Sequence, residues 1–369
     1  MSNLPALPDD ARIYLRPTAF VDAPFGLDGQ VLRLAGGLIW FSAVELIAVI
    51  GGKRVIQTLV PVADLLILSE RDVRVARLLH RLTAPRAALQ MGERTIRLDQ
   101  PQVMAILNVT PDSFSDGGKH LGDTPAIIAA AIDMASQGAA MIDIGGESTR
   151  PGATNVWEGD EIARIEPVVR GLAPSGIAIS LDTRKAAVME AGLAAGGHLI
   201  NDVSGLTYDK RAMAVASIAN CPIALMHYQG DPQHMQANPQ YDDALIEVYD
   251  WLDARIAACE AAGIDRARLI VDPGIGFGKT LRHNLALLNG LSLFHGLGCP
   301  ILLGASRKRI IGALSNEAPV EQRLGGSVAL AMFGAMQGAQ LLRVHDVPET
   351  VQALRVWRGL RDEALTPQF

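Results

Sequence analysis

One pattern repeats eight times from residue 103 onward: a short apolar run ends in polar residues and is followed by a longer segment of helical length. The runs are apolar throughout rather than alternating, as expected of parallel strands that are buried on both faces. Eight strand–helix units close a (β/α)₈ barrel, which usually takes about 250 residues. The sequence therefore predicts an α/β fold, a (β/α)₈ TIM barrel, with strands at 103–109, 140–145, 178–183, 198–203, 222–227, 269–274, 300–306 and 341–346.

An open, doubly wound sheet is the alternative, because it shows the same alternation of strand and helix. Polar residues stand at the end of nearly every apolar run in this chain. In a barrel all strand ends face one mouth, whereas in an open sheet only the ends near the switch point face the ligand. The polar ends therefore favour the barrel.

Residues 1–100 do not follow the repeating pattern. They contain short apolar runs and one helical stretch at 70–82. This indicates a small N-terminal α+β extension over 1–100, followed by a catalytic barrel over 101–369. The sequence assigns the extension no role; capping the barrel and extending a dimer interface are the two possibilities considered.

The composition of the chain limits which kinds of partner it can bind and which cellular compartment suits it. The net charge of −6 argues against a nucleic-acid partner, because there is no basic surplus to neutralise phosphates. The most apolar early stretch, 36–52, is short for a membrane span and contains Glu45. The three cysteines lie far apart without metal-ligand spacing, and the N-terminus does not resemble a secretory signal. We therefore expect a cytoplasmic protein without a membrane or nucleic-acid partner.

The first two strand ends carry different polar groups. Asn108 ends the first run, and its amide oxygen suits a hard cation. The Asp-, Ser- and Gly-rich segment that follows is equally compatible with a turn whose side chains bond the backbone. Arg150, in the loop after the second run, suits a carboxylate or phosphate, or else caps the next helix at the surface.

Three further strand ends offer hydrogen-bond acceptors. Asp182, Asn201 and Asp272 end the third, fourth and sixth runs. Buried carboxylates without partners are costly, so these must meet a ligand, a base or one another. Such a set matches the donor-rich edge of a guanidine-like heterocycle; a structural ion-pair network is the alternative.

The last two strand ends supply positive charge. Lys308 follows the seventh run, and Arg343 and His345 are two residues apart in the eighth, so they share a face. Loops after the seventh and eighth strands of barrels commonly hold phosphate, which favours an anion site here. His345 alone would more often be a core histidine. The GFGK stretch at 276–279 lacks the frame of a phosphate loop and is discounted as a nucleotide motif.

Eight segments, taken together, resemble the dihydropteroate synthase family. Each alone is a modest match, but they occur in the family's order and span almost all of 101–360. The segments are ILNVTPDSFSDGG (106–118), DIGGESTRPGA (143–153), SLDTRK (180–185), INDVSG (200–205), MHYQGDPQHMQ (226–236), DPGIGFGK (272–279), GASRKRIIG (304–312) and RVHDV (343–347).

The resemblance implies that 6-hydroxymethyl-7,8-dihydropterin diphosphate and 4-aminobenzoate condense to 7,8-dihydropteroate and pyrophosphate, a step of folate biosynthesis and a target of sulfonamides. It implies that the pterin ring is held by Asp182, Asn201 and Asp272, with Lys308 beside it, and that Phe277 also binds substrate. It implies that the diphosphate is held by Arg343, His345 and, through Mg²⁺, Asn108.

The resemblance also implies that the loops after the first two strands close over the site. The aminobenzoate pocket would then be shaped by Phe114, Asp116, Thr149 and Arg150. The residues expected to be catalytic are Asp116, Arg150, Lys308, Arg343 and His345. A homodimer formed through barrel helices is expected.

Two other functions share part of this pattern. A pterin-binding methyltransferase has the barrel and an Asp/Asn cradle, but it needs neither the basic residues of the last two strand ends nor the STRPGA loop. A non-catalytic pterin-binding relative would have lost loop residues such as Asp116 and Arg150, and both are present.

Overall fold

The computed structural model describes residues 4–110, 124–148, 155–230, 235 and 237–366. An antiparallel sheet and two helices come first in the chain. The central strand of the sheet, β3, pairs with the other three. These elements are β1 (Arg12–Val21), β2 (Leu32–Arg33), β3 (Trp40–Ile50), β4 (Lys53–Pro61), α1 (Val62–Arg71) and α2 (Val73–Thr83).

Helices α1 and α2 pack on this sheet through apolar stripes. Their buried residues recur every three or four positions, as in an amphipathic helix. Asp72 begins α2, and its carboxylate accepts hydrogen bonds from the N–H groups of Arg74 and Val75. The buried residues are Val62, Leu65 and Leu68 in α1 and Val75, Leu78 and Leu82 in α2.

A short hairpin and then eight parallel strands follow. Neighbours in the chain pair in the sheet, β14 pairs with β7, and a parallel bridge between Val271 and Ile301 closes the ring. The predicted (β/α)₈ barrel is confirmed. The strands are β5 (Leu89–Met91), β6 (Arg94–Ile96), β7 (Gln102–Asn108), β8 (Met141–Gly145), β9 (Ile179–Asp182), β10 (Leu199–Asp202), β11 (Ile223–Met226), β12 (Leu269–Asp272), β13 (Leu302–Leu303) and β14 (Leu341–Val344).

Helices follow each barrel strand and surround the ring, so all strand ends point to one mouth. Within the described residues, no helix is long and apolar enough to cross a membrane. The helices are α3 (Thr124–Ser136), α4 (Glu158–Leu172), α5 (Ala186–Ala194), α6 (Ala212–Ile218), α7 (Ala244–Ala261), α8 (Leu281–Asn289), α9 (Arg309–Leu314), α10 (Leu324–Met336) and α11 (Val347–Ala364).

The β5–β6 hairpin covers the end of the barrel opposite the mouth. Leu89, Met91 and Ile96 are buried and belong to one apolar cluster with residues from the starts of the barrel strands. The strand residues in this cluster include Met104, Met141, Leu199, Ala224, Ile270, Leu302 and Leu341. The hairpin therefore packs as part of the barrel, although it precedes the boundary that the sequence suggests at residue 100. That boundary stays a prediction.

The N-terminal sheet lies against a 3₁₀ helix at Leu291–Leu297, which connects β12 to β13. The Ser292 hydroxyl donates to the Pro17 carbonyl oxygen at 2.8 Å. Buried Arg86 donates to the carbonyl oxygens of Arg81, at the end of α2, and His295, at 2.9 and 3.1 Å. These contacts attach the extension to the side of the barrel.

Candidate active site at the mouth of the barrel

The register of the parallel strands aligns several of the predicted polar residues in one layer. Asn108 is level with Gly145, Gly145 with Asp182, and Asp182 with Asn201. A Cβ atom at Gly145 would approach Asp182 to 3.3 Å, so glycine leaves room for the carboxylate. The strand ends therefore present their side chains around one opening.

A buried carboxylate that the sequence did not single out, Asp143 in β8, lies two residues before Gly145 and level with Ser180, one layer deeper in the barrel. It accepts hydrogen bonds from the Ser180 hydroxyl at 2.5 Å, Asn201 Nδ2 at 3.1 Å and Arg343 Nε at 2.6 Å. In the sequence, Asp143 is marked only by being a charged residue within an apolar strand. Asp143 fixes the orientation of Asn201 and Arg343.

Arg343 bridges two carboxylates. Its Nη2 donates to Asp182 Oδ2 at 2.6 Å, while its Nε bonds Asp143. Burial alone would lower the pKa of Arg343, but the charges of Asp143 and Asp182 outweigh it and raise that pKa. The guanidinium group therefore stays charged and partly neutralises the acidic layer.

Asp182 keeps one oxygen for another partner. Its Oδ1 is buried and has no hydrogen-bond partner among the described residues. Burial raises the pKa of Asp182 to about 7, against the opposing effect of Arg343. An unsatisfied buried acceptor costs about 1–3 kcal/mol, and a ligand that donates a hydrogen bond would remove that cost.

Asp202, next to Asn201, points into its own loop. Its carboxylate accepts from the Ser204 N–H and hydroxyl, both at 2.6 Å, and from the Leu206 N–H at 3.0 Å. Burial raises its pKa to about 6. Its role within the described residues is to hold the turn after β10.

Asp272, Phe277 and Lys308 form the opposite side of the mouth. Asp272 accepts from the Gly274 N–H at 2.7 Å, and burial raises its pKa. Lys308 Nζ donates to the Ile275 carbonyl oxygen and lies 4.5 Å from the centre of the Phe277 ring. Burial lowers the pKa of Lys308 to about 8, although Asp272 opposes this shift.

The loop that carries Phe277 folds tightly onto the end of β11. Gly274 has φ +68°, and a Cβ atom there would come within 1.9 Å of the His227 carbonyl oxygen. Buried Lys279 spans the loop, with its Nζ 2.9 Å from both His227 Nδ1 and the Phe277 carbonyl oxygen. Lys279 therefore holds the loop in place. This structural role accounts for the lysine of the GFGK stretch, and no bound nucleotide is needed to explain it.

The two last strands are joined by a hydroxyl. Ser306 Oγ lies 3.0 Å from His345 Nδ1 and accepts from the His345 N–H at 3.2 Å. Arg307, by contrast, pairs with Asp346, and Arg309 is exposed at the start of α9. Of these three consecutive basic residues, Lys308 is the one whose side chain enters the mouth.

Phe114, Asp116, Thr149 and Arg150 lie outside the described residues. They belong to the loops that follow β7 and β8. Both ends of the loop after β8 are described, and a buried cluster of charged residues joins these ends. Glu147 accepts from the Val156 N–H at 2.9 Å and from Lys185 Nζ at 3.0 Å. This cluster, which also includes Arg184 and Glu161, was not anticipated from the sequence.

Comparison with known proteins identifies the family. Residues 104–345 match a family described as pterin binding enzyme. The chain is 48% identical over 275 residues to dihydropteroate synthase of Neisseria meningitidis serogroup B, covering 73% of this chain and 96% of that protein. The chain belongs to the dihydropteroate synthase family. The prediction made from its eight motifs is therefore confirmed.

Solved dihydropteroate synthase structures have the same fold. The Yersinia pestis enzyme in complex with a sulfonamide drug is 48% identical with a TM-score of 0.71, and the match covers 74% of this chain and 99% of that one. The Xanthomonas albilineans enzyme in complex with 7,8-dihydropteroate is 43% identical with a TM-score of 0.68, covering 74% and 98%. The predicted activity, that of a dihydropteroate synthase and therefore of a transferase, is confirmed with the family.

Proposed function

We propose that the mouth of the barrel binds 6-hydroxymethyl-7,8-dihydropterin diphosphate and 4-aminobenzoate and joins them into 7,8-dihydropteroate, releasing pyrophosphate. The observation that carries this proposal is the buried, unpartnered Oδ1 of Asp182. The 2-amino and ring N–H groups of a pterin are donors, so they satisfy this acceptor. Asn201, held by Asp143, and Asp272, on the other side, complete the pterin site.

Phe277 and Lys308 flank the pterin ring in this proposal. An aromatic ring with a cation 4.5 Å from its centre offers a flat surface and a charge to a polar heterocycle. The Xanthomonas albilineans structure with 7,8-dihydropteroate supports a pterin product in a related barrel.

The diphosphate lies toward Lys308, Arg343 and His345. An arginine has five N–H donors, and two of those in Arg343 are committed to Asp143 and Asp182. The others remain for phosphate oxygens. Lys308 and Arg343 influence each other electrostatically, as two cations at one anion site do.

Asn108 is the residue that we propose as the protein ligand of Mg²⁺. It ends β7 at the same level as Asp182, so an amide oxygen, a preferred type of Mg²⁺ ligand, stands at the mouth. Protein-bound Mg²⁺ commonly keeps several waters and takes substrate phosphates as further ligands, so one protein ligand fits. When bound, the ion would neutralise charge on the leaving diphosphate.

The proposed chemistry is a dissociative substitution that depends on electrostatics. Cleavage of the bond between the pterin methylene and oxygen builds positive charge on the ring and negative charge on the diphosphate. Asp182 and Asp272 face the first charge, and Lys308, Arg343 and His345 face the second. The amine of 4-aminobenzoate is already a nucleophile near neutral pH, so no Ser/His or Cys/His pair is needed.

The aminobenzoate pocket stays assigned to Phe114, Asp116, Thr149 and Arg150. The Glu147 cluster ties Val156, which follows the second of these loops, to the end of β8, so the described ends of that loop lie at the mouth. Asp116 and Arg150 would then contact the reactants from the loops.

A pH profile of kcat/KM tests the function and the site together. Asp182 is protonated below its pKa of about 7; it then loses its negative charge and presents an O–H donor to the pterin donors, so it binds them more weakly. Lys308 loses its charge above its pKa of about 8. Dihydropteroate formation with Mg²⁺ is therefore expected to be bell-shaped in pH, with its maximum between these two values and with loss of activity on chelation.

Matched variants separate these contributions from titration of the substrate's own diphosphate. Asp182→Asn removes the titrating carboxylate and leaves the substrate unchanged. It should therefore lower kcat/KM and flatten the acid limb of the profile. Lys308→Arg should move the alkaline limb above about pH 10, because arginine stays protonated. Absence of turnover at every pH would overturn the function, and unchanged limbs in the two variants would overturn these roles.

We also propose a homodimer formed through α10. This helix has no charged residue from Leu324 to Met336, although those two residues are 40% and 45% exposed. The adjacent helix α11 exposes Val356 and Leu360. The uncharged sequence of α10 and these exposed apolar side chains on two adjacent helices support an interface on this face of the barrel. Sedimentation is expected to give twice the monomer mass, and Met336→Glu should shift it toward the monomer, whereas Val73→Glu, exposed on the extension, should not.

The cytoplasm is the proposed location. Cys221, Cys259 and Cys299 are buried and unpaired, as expected in a reducing compartment. Recovery of the activity mainly outside the cytoplasmic fraction would contradict this.

A further inference from the structure

The N-terminal sheet reaches the mouth end of the barrel through one ion pair. Arg54, in β4, donates from Nε and Nη2 to the two carboxylate oxygens of Asp243 at 2.6 and 3.1 Å. We propose that Arg54 is a positioning residue for the pterin site, acting through Asp243 and Tyr241 on the loop that carries Phe277. This inference rests on the proposed binding of the pterin at Asp182 and Asp272.

Asp243 is the residue that begins α7. Its carboxylate accepts from the Ile246 N–H at 3.4 Å, and its own N–H donates to Glu247 at 2.8 Å. A helix that follows a barrel strand runs back from the mouth, so its first residue lies beside the active-site loops. Arg54 therefore fixes the position where the loop after β11 ends.

Tyr241, two residues before Asp243, connects this point to the next loop. Its hydroxyl donates to the Gly278 carbonyl oxygen at 3.0 Å. Its ring packs edge-on against His283, 4.9 Å away between centres, at the start of α8. Movement of Tyr241 would therefore be transmitted to the 274–279 loop.

The 274–279 loop carries the groups that face the proposed pterin ring. Lys279 bonds the Phe277 carbonyl oxygen, and the Phe277 ring lies beside Lys308. Gly278 stands between Phe277 and Lys279, so the Tyr241 hydrogen bond is made in the middle of this arrangement. One ion pair, two residues of chain and one hydrogen bond thus link Arg54 to the site.

A second ion pair between the sheet and α7 provides a matched control. Arg12 pairs with Asp250 at 3.2 Å and with Asp253 at 2.7 Å. Asp250 lies seven residues beyond Asp243, about 10 Å further along the helix and away from the mouth. Arg12 and Arg54 therefore make the same kind of contact with the same helix, but only Arg54 makes it next to the loops.

The experiment measures the Kd of 6-hydroxymethyl-7,8-dihydropterin diphosphate and the KM values of both substrates for the full chain. Arg54→Gln is expected to raise the Kd about 3- to 10-fold, a modest change because the pair is partly exposed. Arg54→Lys keeps the charge but not the paired geometry, so an intermediate Kd is expected. The KM for 4-aminobenzoate should stay within about twofold, since its proposed pocket lies on other loops.

Arg12→Gln is expected to leave the Kd within about twofold, with a similar effect of both variants on thermal stability. In a double-mutant cycle, Tyr241→Phe should raise the Kd on its own. Combined with Arg54→Gln, it should raise the Kd by less than the product of the two single effects, because both changes act on one path.

The outcomes distinguish this inference from the proposed function. An unchanged Kd in Arg54→Gln, an equal rise in Arg12→Gln, or independent effects of Arg54 and Tyr241 would each overturn the inference. An unchanged Kd in Asp182→Ala would instead overturn the proposed pterin site. Weaker binding in Asp182→Ala together with normal binding in Arg54→Gln leaves the site standing and removes the role of Arg54.

Discussion

Arg343→Ala is expected to lower kcat by about 100- to 1,000-fold and to destabilise the protein at the same time. The loss of rate follows from removing a cation that faces the developing charge on the diphosphate. The loss of stability follows from Asp143, which is fully buried and would lose its only ion-pair partner among the described residues. Removing one partner of a buried pair costs about 3–5 kcal/mol.

The double variant Asp143→Asn/Arg343→Met separates the two effects. Asparagine keeps one acceptor oxygen, at the position that both Ser180 and Asn201 reach in Asp143, and methionine fills part of the space of the arginine. No unpaired charge is then buried at residue 143. Urea denaturation should show part of the stability restored, because Asp182 still loses its arginine partner, whereas turnover should stay low. Near-normal turnover in Arg343→Ala, or recovery of turnover in the double variant, would show that Arg343 is not catalytic.

Met91→Ala is expected to destabilise the protein by about 2–5 kcal/mol, the usual cost of truncating a buried methionine. Met91 is 1% exposed and belongs to the cluster that fills the end of the barrel opposite the mouth. The matched control is Gln90→Ala, because Gln90 is the exposed neighbour in the same strand. This change should stay within about 0.5 kcal/mol.

Chemical denaturation measures both variants, and truncation gives an independent check. A chain of residues 101–369 lacks the hairpin and would expose the apolar starts of the barrel strands. Full stability and turnover of that truncated chain would contradict a structural role for the hairpin. The same result would support the boundary at residue 100 that the sequence suggests.

The barrel could be predicted because its pattern is local and repeated. Each apolar run and each helical segment is visible in a short window, and eight repeats leave few architectures. The positions of Asp182, Asn201 and Asp272 followed from the same rule, since parallel strands bring their carboxyl ends to one mouth. Their convergence there needed no knowledge of particular contacts.

The partners of the charged residues could not be predicted in this way. Arg343 was expected to face an anion, but it also bridges Asp143 and Asp182 from strands about 200 and 160 residues earlier. Asp143 was missed because one aspartate inside an apolar strand does not reveal what it contacts. Such pairings depend on side-chain directions in the closed ring, which a strand pattern does not encode.

The extension was harder to interpret for a similar reason. Its sheet depends on antiparallel pairs between strands of unequal length, and its contacts with α7 join residues about 190 to 240 positions apart. No short motif marks these contacts. In the sequence Arg54 and Arg12 cannot be told from other surface arginines, but in the structure each pairs with an aspartate of α7 and attaches the N-terminal sheet to the barrel.

The closure of the barrel also has a mechanical consequence. Most neighbouring strands are joined by ladders of three or more pairs, whereas β12 and β13 meet through the single bridge between Val271 and Ile301. The 3₁₀ helix that spans this joint lies beneath β1 and α2. The N-terminal sheet and α2, which lie outside the family match, therefore pack on the connection between the two strands of the ring that share a single bridge.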